Sequence, residues 1–144
     1  MKPTLSILLL CCAIFFASCD ETKKVIDAAG NVQLSGNYAV QSVKNLSAKQ
    51  QDMTLTFTAL DKSFSGQTGC NSVLGNYTLD LYALSFGELA VTEQYCEEDI
   101  MEAERAFLRA LRETGSYGLE NGILTLYSKN DRSALLTAKK QQRQ

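Results

Sequence analysis

The side chains that could do chemistry are five cysteines, at positions 11, 12, 19, 70 and 96, and a crowd of acids at Glu93, Glu97, Glu98, Asp99 and Glu102. The chain contains no histidine. That absence removes Ser-His-Asp and Cys-His catalysis and every metal site that needs an imidazole. In Gly69-Cys70-Asn71 the thiol could sit as a nucleophile on a tight turn, but Lys, Arg or a helix terminus would have to hold it as thiolate. The structural alternative is favoured: glycine takes a positive φ, and Asn71 satisfies the backbone groups of the turn with its side chain. The acids could act as general acid and base or bind calcium, yet their spacing is not that of an EF-hand. Acids at the start of a helix complement its dipole without any catalytic duty. No enzyme activity, metal or cofactor is therefore expected.

Cys19 has a different chemistry. Residues 5–16 read LSILLLCCAIFF behind a lone Lys2, a run shorter than the roughly 20 apolar residues that cross a bilayer. A basic start, an apolar middle and small residues at the end make a secretory signal. Its end, Phe16-Ala17-Ser18-Cys19, resembles the lipobox of bacterial lipoproteins, in which the leader is cut just before the cysteine. That resemblance implies that Cys19 becomes the first residue and carries acyl chains, enough of them for durable anchoring. Cys11 and Cys12 would leave with the leader, so Cys70 and Cys96 remain as a pair in an oxidising compartment. A disulfide between them is expected over two separate buried thiols; it would close a loop of about 27 residues and contribute roughly 3–4 kcal/mol.

The elements that must position these residues are mostly strands. In residues 53–61, MTLTFTALD, Met53, Leu55, Phe57 and Ala59 face one way and the threonines the other, which predicts a half-buried strand. GNYAVQSV at residues 36–43, SFSGQTG at 63–69 and one or two runs within 75–92 read as further strands. Asn121-Gly122 between apolar runs is a strong hairpin signal, and a polar turn at 129–132 joins the last pair. Residues 97–113 instead put Ile100, Ala103, Phe107, Ala110 and Leu111 on one helical stripe, with Met101 and Leu108 beside it and Gly115 as a stop. Tyr38, Phe57, Phe64, Tyr77, Phe86, Phe107 and Tyr117 could line a pocket for an acyl chain or peptide, but alternating strand positions point to core. With 14 basic against 16 acidic residues there is no field for nucleic acid.

Residues 64–126 resemble the META domain, the family of HslJ-like heat-shock envelope proteins. The resemblance rests on FSGQTGCNSVLGNYTLD, LSFGELAVTEQYC, EAERAFLRAL and LTLY. Gly69, Cys70, Asn71, Gly75, Tyr77, Thr92, Cys96, Glu104 and Phe107 follow the family in order and spacing. The resemblance implies an α+β fold, a small, strongly curved antiparallel β-sheet forming a partial barrel and packed with one α-helix. It implies structural duty for these residues, and a place in the bacterial envelope without an established reaction. The expected division is a lipoprotein signal at 1–18, a flexible tether at 19–35, the META-like domain at 36–138 and a polar tail at 139–144. The function expected is non-catalytic binding in stress response or envelope maintenance, from the outer membrane or a periplasmic face. The expected partners are membrane lipid through acylated Cys19 and an unknown envelope protein or hydrophobic ligand. The alternative is a carrier or chaperone for a hydrophobic ligand or partner envelope protein.

Overall fold

The computed structural model describes residues 29–44, 46–48 and 52–142. The leader and Cys19 lie outside the described residues. The strands are β1 (Gly36–Val43), β2 (Leu46–Ser47), β3 (Thr54–Thr58), β4 (Ser63–Gln67), β5 (Ser72–Asp80), β6 (Ala83–Phe86) and β7 (Ala90–Val91). The helix α1 (Glu98–Glu113) follows, and then β8 (Thr114–Glu120), β9 (Ile123–Ser128) and β10 (Ala134–Lys140).

These strands do not form the expected partial barrel. Neighbours run β10-β9-β8-β6-β5-β4-β3-β1, and β10 pairs back onto β1, with Tyr38 opposite Lys140 and Val43 opposite Leu136. The result is a closed eight-strand antiparallel barrel, mostly β, with β2 and β7 as short additions and one long helix. Closure gives the edge strands partners, so their backbone groups are satisfied within the wall. The expectation failed at its last strand. KKQQRQ reads as a polar tail, yet Lys139 and Lys140 belong to β10, and Gln141 N–H donates to Asn37 O at 2.8 Å. The 138/139 boundary thus falls inside a strand. The period-two pattern does predict the buried faces: Leu55 and Phe57 in β3, Phe64 in β4, and Leu124 and Leu126 in β9 are all buried. At Asn121 and Gly122 both φ values are positive, 51° and 76°, as a two-residue turn that matches strand twist requires.

The interior is filled by rings. Phe57 meets Tyr38 and Tyr77 edge-on, with centroids 5.9 and 5.4 Å away, and Phe64 meets Phe86 at 4.8 Å. Such edge contacts add to area burial at about 0.5–1.5 kcal/mol per pair. Tyr38, Phe57, Tyr77 and Phe107 are among the largest fully buried side chains, so the aromatic positions make a core rather than a pocket wall.

Helices close both mouths. α1 touches β1, β6, β9 and β10. Because β1 and β6 lie opposite each other in the ring, α1 crosses one open end. Its buried stripe is Ala103, Glu104, Phe107, Ala110 and Leu111. Gly115 is not the stop: Thr114 follows α1 in extended conformation, and Gly115 lies in β8, where an added Cβ would come 2.6 Å from Lys129 Cα. At the other mouth, residues 29–34 are helical and Leu34 is fully buried. Tyr38 Oη donates to Leu34 O at 2.7 Å, and Lys140 Nζ donates to Gln33 O at 2.8 Å. The part of the expected tether that is described is therefore packed on the barrel.

Candidate functional site

The β4–β5 hairpin turns at Thr68 to Asn71, and its geometry is local. Thr68 N–H donates to Asn71 O and Asn71 N–H donates to Thr68 Oγ1, both at 2.8 Å. Gly69 takes φ 94°, a conformation that costs a side-chain-bearing residue. This turn sits at the α1 end of the barrel, and two distant segments converge on it, the residues before α1 and α1 itself.

Asn71 is the centre of the convergence. An amide side chain offers two lone pairs on oxygen and two N–H bonds. All four are taken. Oδ1 accepts from Thr92 Oγ1 at 2.8 Å and from Gln94 N–H at 2.7 Å. Nδ2 donates to Gln94 O and to Glu104 Oε1, each at 3.1 Å. Asn71 therefore grips both backbone groups of Gln94, as a neighbouring strand would, and reaches α1 through Glu104. The other Glu104 oxygen takes the hydroxyl of Thr68. Thr92 Oγ1 also accepts from Ser72 N–H at 3.1 Å. Thr68, Asn71 and Glu104 are all buried, so satisfying these groups inside the protein is what makes their burial tolerable.

The sulfurs add a covalent tie at the same place. Cys70 and Cys96 form a disulfide with Cα atoms 6.0 Å apart. The bond and the Asn71 network together fix the segment before α1, and the first turns of α1, onto the hairpin. With its sulfurs joined and its amide and hydroxyl groups directed at one another, the cluster can hold shape; it presents no free nucleophile.

Of the motif residues, the structure brings Gly69, Cys70, Asn71, Thr92, Cys96 and Glu104 together. It leaves three elsewhere. Gly75 lies in β5, where an added Cβ would come 2.6 Å from Glu88 O and 2.9 Å from Phe64. Tyr77 is buried in the ring cluster with its hydroxyl directed at Thr58 O, 3.4 Å away, and Phe107 is buried in α1. Sequence reasoning missed Thr68 and Gln94. Thr68, three residues before Asn71 across a glycine turn, was a readable signal. Gln94 contributes only backbone groups to the network, which no side-chain pattern reveals. Glu93, Glu97, Glu98, Asp99 and Glu102 are exposed, and among the described residues no group of three or more acids or cysteines is placed to hold a metal ion. Arg105 pairs with Glu98 at 2.6 Å on the surface, a contact of small energetic consequence.

The comparisons with known proteins bear on the family and on the fold. The sequence profile of the META domain family matches residues 31–142. No curated protein matches the chain significantly. A protein from Burkholderia xenovorans solved by NMR has 26% identity and a TM-score of 0.63, covering 81% of this chain and 89% of that one. A second protein solved by NMR has 24% identity and a TM-score of 0.60, over 76% of this chain and 92% of its own. A DUF4847 family protein from Bacteroides vulgatus ATCC 8482 shares the fold at a TM-score of 0.54 and 15% identity, over 81% of this chain and 99% of its own.

Proposed function

From the premise that the chain belongs to the META domain family, over residues 31–142, we propose a non-catalytic, lipid-anchored protein of the bacterial envelope that acts by binding, in envelope maintenance or stress response. The observation that carries the reading is the consumption of the motif's polar groups in one another. Asn71 has all four of its hydrogen-bonding sites filled, Glu104 has a protein partner on each oxygen, and Cys70 is joined to Cys96. A catalytic constellation keeps at least one such group aimed at the place a substrate occupies. The filled aromatic core supports binding on the outer surface instead of inside the barrel. The anchor is supported by the apolar leader ending in Ala17-Ser18-Cys19.

The test is complementation of whatever stress sensitivity a deletion strain shows. A chain with Glu97→Gln, Glu98→Gln and Asp99→Asn rescues, because the exposed acids have no chemical duty. A chain with Cys19→Ser fails although its domain folds. Loss of rescue by the amide chain, at normal abundance and stability, overturns the non-catalytic reading; full rescue by Cys19→Ser overturns the anchored one.

A further inference from the structure

We infer that the end of the barrel opposite α1 seats on the lipid surface and that its apolar tips enter the interface. In an antiparallel ring alternate turns share an end, so the β3–β4 turn and the β5–β6 turn lie on the same rim, away from Thr68 and α1. Those two turns carry Leu60 and Tyr82, which are 96% and 77% exposed. The helical residues 29–34 cross that mouth between them. Ser35 Oγ donates to Phe57 O at 3.0 Å beside the first turn, and a Cβ on Gly30 would touch Leu79 beside the second. Val32, on this lid, is 69% exposed. Three large apolar side chains thus project from one rim, where folding gives them no reason to be.

The path of the chain says what covers them. The chain reaches the barrel through this rim, and Cys19 lies ten residues before residue 29, a distance that even a fully extended chain spans in at most about 36 Å. The inference rests on the anchored reading in this respect: an acylated Cys19 keeps this rim, where the chain enters the barrel, within that reach of the bilayer. Charge does not oppose this orientation: the rim balances Asp61, Asp80 and Glu120 with Lys62, Lys139 and Lys140, so it carries no net charge for an anionic lipid surface to repel. Tyrosine and branched apolar tips are the side chains suited to a headgroup boundary, where one end is wet and the other apolar.

The chain has no tryptophan, so one introduced indole reports on one place. Leu60→Trp, Tyr82→Trp and, at the α1 end, Tyr95→Trp alter exposed positions that support no packing. Each full chain, purified from membranes of the producing bacterium, is reconstituted in phosphatidylethanolamine–phosphatidylglycerol vesicles with brominated acyl chains. The expected result is flotation with the vesicles and emission lowered about twofold or more at positions 60 and 82 but not at 95, as for groups set 5–10 Å into the boundary. Flotation with equal emission changes at all three positions overturns the seating and leaves the anchor intact. Failure to float refutes the anchor, and the seating with it.

Discussion

Asn71→Ala is the substitution that weighs the network most directly. It deletes four hydrogen bonds in one step, two of them to the backbone of Gln94 and one to the buried carboxyl of Glu104. A hydrogen bond contributes about 0.5–1.5 kcal/mol net, and a buried group left without its partner costs about 1–3 kcal/mol. Gln94 N–H, Gln94 O, the Thr92 hydroxyl and Glu104 Oε1 all lose this partner; water reaching the exposed Thr92 and Gln94 recovers some of the loss. The expected cost is about 3–5 kcal/mol, a large share of the stability of a domain this size. With a urea dependence of about 1.5 kcal/mol per molar, the midpoint falls by about 2–3 M with little change in slope. The disulfide is kept intact, and unfolding is followed by far-UV circular dichroism. Amide exchange at Gln94 accelerates well before global unfolding, since Asn71 Oδ1 is its acceptor. Asn71→Asp, of nearly equal volume, is at least as damaging because it turns two donors into acceptors facing Gln94 O and Glu104. A midpoint shift under about 0.5 M for both variants, with Gln94 still protected, refutes the claim that this side chain holds the segment to the barrel.

Three further outcomes follow from the geometry. Gly75→Ala drives a methyl to 2.6 Å from Glu88 O, so β5 and the segment before β7 must separate; a loss of about 1–3 kcal/mol in thermal or urea unfolding is expected, whereas Gly87→Ala, with 3.4 Å to its nearest neighbour, is mild. Replacing Cys70 and Cys96 together by serine frees a 26-residue separation and costs roughly 3–4 kcal/mol, read as a lower midpoint that matches wild type under reducing conditions. Burial pushes the Tyr38 hydroxyl up to about 12 from the ordinary tyrosine value. The fold thus holds this proton more tightly than the unfolded chain does. Its contribution is complete below pH 10 and is lost as pH rises toward 12, at up to about 1.4 kcal/mol per pH unit. Tyr38→Phe should flatten the alkaline fall in stability, and an unchanged slope contradicts the assignment.

What was legible in the sequence was local. The threonine alternation around Leu55 and Phe57, the Asn121-Gly122 turn and the amphipathic stripe of α1 each express a short-range rule, and each element stands where its pattern put it. Barrel closure was not local. It depends on β10 meeting β1 across almost the whole domain, and on Lys139 and Lys140 serving as strand residues, a role their polarity hides. Gly115 misled for a similar reason: the sequence shows a glycine after a helix, while the structure needs it for the close approach of Lys129. At the site, spacing marked Asn71, Thr92 and Glu104 as members of one pattern. Their meeting required the hairpin, the segment before α1 and the helix itself to be placed first. Gln94 acts through its backbone and left no trace in residue type.

Lipid on Cys19 is what we propose holds this META domain at the envelope. Intact-mass analysis of the protein extracted from membranes of the bacterium that makes it tests this most directly. The predicted mass lacks residues 1–18, includes the Cys70–Cys96 bond and exceeds the remaining polypeptide by acyl chains that map to Cys19. A mass that retains the leader, or an unmodified Cys19 at the amino terminus, contradicts it.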